Sequence, residues 1–121
     1  MINNERKTID TLLDGISVIA GAFLLFSPWL FGFAAEPVAS WNSWIAGALI
    51  ALVGILAMVK FQVWQEWVNL ALGAWTFIAP WLLGFSAIGA AAATHMSVGV
   101  LVAALAAYEL WTSHNRPLSA A

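Results

Sequence analysis

Cysteine is absent from the 121 residues, which excludes disulfides, thiolate metal centres and thiol nucleophiles. Charge is nearly as scarce: Asp, Glu, Lys and Arg make up 8% of the chain, against roughly 25% in a soluble domain. Four basic residues against six acidic ones leave a net charge of −2, and no basic cluster exists to grip nucleic acid. A glycine-rich phosphate loop is missing, as are paired buried carboxylates and a Ser/His/Asp pattern at one depth. No second histidine stands at ligand spacing from His95 or His114. Neither catalysis, a metal nor a cofactor is expected.

What is abundant is apolar. Hydrophobic residues reach 63% and the mean hydropathy is +0.90. A soluble domain this short leaves much of its area in water and cannot bury so much apolar surface. The remaining solvent is lipid, so the chain reads as an integral membrane protein. Arg6 and Lys7 precede an apolar run as in a signal peptide, but Asp10 and Asp14 interrupt it. A retained first helix is expected.

Four apolar runs follow. Gly15–Phe33 is uncharged for 19 residues, enough to cross a hydrocarbon core of ~30 Å. Trp44–Val59, Trp67–Ile88 and Met96–Trp111 are the others. Residues 34–43 (with Glu36 and Pro37) and 89–95 read as loops, and Lys60–Glu66 as a link. Arg6, Lys7, Lys60 and Arg116 share one side, while the two remaining loops contain no Lys or Arg. The positive-inside rule therefore places both termini in the cytoplasm. Trp64, Trp67 and Trp111 then mark the inner interface and Trp29, Trp41 and Trp81 the outer one, with Trp75 near mid-membrane.

The sequence also repeats itself. Ser27-Pro28-Trp29-Leu30-Phe31-Gly32-Phe33 returns 52 residues later as Ala79-Pro80-Trp81-Leu82-Leu83-Gly84-Phe85. The same offset pairs Gly21 with Gly73, Gly47 with Gly99 and Asp14 with Glu66. Such self-similarity reads as an internal duplication. Each unit is a hairpin that starts and ends inside, so the copies are parallel and related by an axis along the membrane normal. The expected fold is all-α: an integral membrane four-helix bundle of two tandem transmembrane hairpins. The divisions are a lead 1–11, repeat one 12–60, a link 61–66, repeat two 67–112 and a tail 113–121.

Pro28 and Pro80 each remove a helix hydrogen bond, and Ser27 has a hydroxyl to offer the freed carbonyls. Gly32 and Gly84 add a flexible or close-packing point. The motif reads either as a kink that tapers the bundle or as a hinge that opens a cavity. Ala79 lacks the hydroxyl, which weakens the hinge. Small and short polar residues recur four apart at Ser17 and Gly21, Gly47 and Ala51, Asn69 and Gly73, and Gly99, Ala103 and Ala107. In lipid such rows let helices approach closely. Asp14, Glu66 and Glu109 form a candidate polar rim near the inner boundary, within reach of water and suited to capping helix ends.

The doubled Ser-Pro-Trp-x-x-Gly-Phe pattern, with Trp41-Asn42 opening the next helix, resembles the SPW-repeat family of small bacterial and archaeal membrane proteins. That resemblance runs from about Asp10 to Trp111 and implies two transmembrane helices per repeat, with the Ser-Pro-Trp in the first. It implies no biochemical activity. The resulting expectation is a non-enzymatic inner-membrane protein, structural or accessory, acting through helix packing. Its partners would be membrane lipids and either itself or a larger membrane complex. The alternative is a small-molecule or lipid-binding protein with an outer cavity lined by Trp29, Trp44 and Trp81.

Overall fold

The computed structural model describes residues 2–60 and 62–114, with side chains for 8–60 and 62–112. Four helices follow one another: α1 (Ile2–Leu30), α2 (Pro37–Val59), α3 (Val63–Leu82) and α4 (Gly89–His114). Spans Thr8–Leu30, Pro37–Val59 and Gly89–Thr112 are long and apolar enough to cross a membrane. Helix α3, with Gln65, Glu66 and Asn69 in its first two turns, is the shortest of the four and is not among those spans. The side chains of Arg6, Lys7 and His114, and the tail from residue 115 with Arg116, lie outside the described residues.

Close backbone contact holds each hairpin together. A Cβ placed on Gly21 of α1 would lie 2.6 Å from Ala51 N and 2.7 Å from Gly47 O of α2. In the second hairpin a Cβ on Gly73 would lie 2.6 Å from Ala103 N and 2.9 Å from Gly99 O. Gly21, Gly47 and Ala51 of the small-residue rows, and their counterparts Gly73, Gly99 and Ala103, thus meet inside the hairpins at the same places. Between the hairpins, α1 packs against α4 and α2 against α3. Ala20, Leu24, Ala46, Ile50, Val98 and Val102 form the central core, to which α3 adds the partly buried Leu72. A second cluster at the loop end joins Phe33, Ala39, Ala79, Phe85 and Ala91.

The repeated motif is a helix stop. Pro28 lies inside α1, and Ser27 Oγ donates to the Leu24 carbonyl (2.7 Å), the acceptor that proline leaves without its donor. Two residues past the helix end, Gly32 takes φ +78° and Phe33 N donates to Pro28 O at 2.9 Å. This is the Schellman arrangement, in which a left-handed residue reverses the chain. Gly84 (φ +80°) and the bond from Phe85 N to Pro80 O repeat it. Phe33 and Phe85 are 2% and 3% exposed, the apolar residues that such a turn tucks back onto the bundle. The glycines are therefore caps rather than packing points, and the first and third helices end at Leu30 and Leu82 instead of running on to Phe33 and Ile88.

Two expected loops are helical. Residues 37–43 form the first turns of α2, because Pro37 suits the first helical position, where no N–H is needed. Its polar residues face inward: Ser40 and Ser43 are fully buried, and Ser40 Oγ donates to Phe33 O at 2.8 Å. Residues 89–95 open α4, driven by the four alanines at 90–93, the strongest helix formers.

Candidate functional site

Helices α1, α3 and α4 each bring one carboxyl to the end of the bundle where the chain begins and ends. Asp14, Glu66 and Glu109 each offer an oxygen, and these lie within 4.8 Å of one another. The residues are 1%, 1% and 0% exposed. They form an interior cluster rather than the water-reached rim expected from sequence. Asp14 also lies well inside α1, which begins at Ile2, so it caps nothing. Glu66 does occupy the first turn of α3, where a carboxylate meets the positive helix end. The helix start itself is closed by a capping box between Gln62 and Gln65, with Gln62 N donating to Gln65 Oε1 at 2.9 Å.

Glu109 contacts both other carboxyls. Both oxygens of Asp14, both of Glu109 and Oε2 of Glu66 are buried, with no N–H or hydroxyl donor from another residue. Oxygen facing oxygen needs a proton or a cation between. Two full charges no more than 4.8 Å apart repel by at least roughly 3.5 kcal/mol at an effective dielectric constant of about 20. Lys60, the one lysine or arginine whose side chain is described, is exposed just past α2. Among the described residues, then, no fixed cation neutralises the cluster.

The triad is unequal across the repeats. Asp14 and Glu66 are counterparts at the 52-residue offset, whereas the counterpart of Glu109 is Ala57. One turn further along α3, Asn69 is 1% exposed with both amide atoms unpartnered. Its counterpart Ser17 is also buried on α1. On the other side, a shallow cavity of about 140 Å³ opens between α1 and α4, lined by Ile9, Asp10, Tyr108, Trp111 and Thr112. Thr112 Oγ1 donates to the Glu109 backbone carbonyl at 3.1 Å, a local bond within α4.

The opposite end holds a second polar contact. His95 Nδ1 donates to Ala91 O at 2.8 Å, and the Ser43 hydroxyl faces Nε2 at 3.5 Å. Ser43 and His95 are repeat counterparts, so they meet where the two hairpins abut. Both are 0% exposed, and Phe85 packs edge-on against the imidazole with ring centres 4.8 Å apart. A serine and a histidine share this depth, but the hydrogen-bond partners of His95 among the described residues, Ser43 and Ala91, include no carboxylate that would complete a Ser/His/Asp set. The arrangement is a closed packing contact, since substrate has no path to either.

The aromatic residues pack rather than frame a space. Trp29 stacks on Trp44 (5.4 Å between rings), Trp41 sits edge-on to Trp44, and Trp81 leans on Phe77. Trp75 Nε1 donates to Asn42 Oδ1 at 2.9 Å, linking α3 to α2. Asn42 lies in the second turn of α2, so the bond joins the middle of α3 to the start of α2.

Sequence reasoning named Asp14, Glu66 and Glu109 as a water-reached rim and expected no paired buried carboxylates; the structure corrects both points, because the three are buried together. The signals for their meeting were the paired offset of Asp14 and Glu66 and the placement of Glu109 two residues before the end of the fourth apolar run.

No curated protein and no solved structure matches the chain. A family model for the SPW repeat domain matches residues 11–109, which takes in both proline motifs, both glycine crossings and all three buried carboxyls. On that span the chain belongs to the SPW repeat family.

Proposed function

We propose that this protein is a non-enzymatic structural or accessory unit of the cytoplasmic membrane, with both termini in the cytoplasm and all four helices spanning the bilayer. Two diverged copies of one hairpin build it, and it works as a preassembled helix block beside other membrane subunits or further copies of itself. The observation that carries this is the division of its surfaces. Small residues meet backbone to backbone inside each hairpin, so the unit completes its own packing. Large apolar side chains remain outside on every helix, among them Phe26, Trp41, Ile45, Ile78 and Leu101. Lipid or a partner helix can cover them without a polar mismatch.

The ligand-handling alternative needs an outer cavity between Trp29, Trp44 and Trp81. The stacking of Trp29 on Trp44 speaks for the accessory reading.

Photo-crosslinking in intact membranes tests the proposal. A photoreactive residue at exposed Ile45, Ile78 or Leu101 should yield discrete protein adducts from one face, and the same residue at buried Ala39 none. Lipid adducts alone from all three exposed positions would refute the accessory role.

A further inference from the structure

We propose that Asp14, Glu66 and Glu109 bind a hard divalent cation of calcium or manganese size, with the Asn69 carboxamide as an additional oxygen ligand. Such ions take oxygen ligands, and for calcium the distance is about 2.3–2.6 Å. Two oxygens on opposite sides of such an ion stand about 4.8 Å apart, the same span that contains the three carboxyl oxygens. The three come from three helices, so they surround a point instead of lining one face.

Asn69 supplies the independent observation. It is 1% exposed, and neither its Oδ1 nor its Nδ2 has a partner. A buried amide without a partner is costly, so its retention calls for something that it meets. It lies three residues after Glu66, on the same face of α3. Helical side chains lean toward the N-terminus of their helix, which directs Asn69 back toward Glu66 and the other carboxyls.

The charges agree. Three carboxylates and one divalent ion leave a single negative charge, which one retained proton removes. The cavity lined by Asp10 and Thr112 lies, along α1 and α4, about one turn from Asp14 and Glu109.

The test is a Mn²⁺ titration of the full-length protein in phosphatidylcholine nanodiscs, previously stripped with EDTA. The fall of the free-ion electron paramagnetic resonance signal reports binding. One saturable site per chain is expected, with Kd at or below ~1 mM, the weak end of protein calcium sites. Glu109→Gln and Asp14→Asn should each weaken it at least about tenfold, with helicity by circular dichroism as the folding control. Added Ca²⁺ should compete. Absence of saturable binding to the wild-type protein overturns the proposal even if no variant folds. Equal binding by wild type and folded variants overturns it too. An infrared carbonyl band from protonated carboxyls that vanishes in Glu109→Gln and whose intensity saturating Mn²⁺ leaves unchanged would assign the triad to shared protons instead.

Discussion

Gly15 and Gly21 lie six residues apart on α1, and substitution by alanine should change stability in opposite directions. At Gly21 the new methyl would stand 2.6 Å from Ala51 N and 2.7 Å from Gly47 O, where ordinary contact begins at 3.4 Å. Both obstacles are backbone, so no side chain can swing aside and the helices must separate by most of an ångström. Overpacking of this kind costs about 1–3 kcal/mol, and alanine's better helix propensity recovers up to about 1. The expected net loss is about 1–2 kcal/mol. At Gly15 the nearest atom is Met58 Cε at 3.9 Å, so the propensity gain stands nearly alone and the protein gains about 0.5–1 kcal/mol. Gly73→Ala should lose as much as Gly21→Ala, because a Cβ there meets Ala103 N at 2.6 Å. Reversible unfolding in mixed micelles, followed by the fluorescence of the eight tryptophans, measures all three. Should Gly21→Ala be neutral, or Gly15→Ala as harmful as Gly21→Ala, the claim that backbone contact holds the hairpins together is wrong.

Three further outcomes are expected. Gly84→Ala, where φ is +80° and nothing lies within 4 Å, should lose about 1–2 kcal/mol from left-handed strain alone; the same unfolding assay checks it, and Gly84→Asn should lose less. Trp75→Phe removes the bond to Asn42 and should cost about 0.6 kcal/mol, the average for interhelical hydrogen bonds in membranes; a loss beyond about 2 would assign Trp75 a larger packing role. Because the chain has no cysteine, single cysteines report orientation directly. Lys60→Cys should react with an impermeant maleimide only from the cytoplasmic side, and Glu36→Cys and Ser86→Cys only from the other; the reverse pattern would invert the topology.

The helices were legible because their signals are local. Apolar runs, Pro-Trp-x-x-Gly-Phe and the 52-residue offset all lie in consecutive residues, and Ser27 was readable as the partner of the carbonyl that Pro28 frees. Boundaries were less so. Ser40 and Ser43 look like loop residues until Pro37 is seen to start a helix that turns them inward. Gly32 reads as a flexible or close-packing glycine because residue type alone does not separate a left-handed helix cap from a helix crossing. The carboxyl triad needed the third dimension. Asp14, Glu66 and Glu109 each look like a charge near an interface, and only the packing of α4 against both α1 and α3 shows that they face one another away from water. Ser43 and His95 were hidden likewise, since counterparts in a repeat need not touch.

The accessory role rests on what the protein sits beside, and native mass spectrometry of the chain extracted from its own membranes reads that directly. The account predicts the 13.0 kDa chain in a fixed ratio with partner subunits or further copies of itself. A bare single chain, carrying only lipid or a small molecule, would contradict it and return the outer tryptophans to consideration as a binding site.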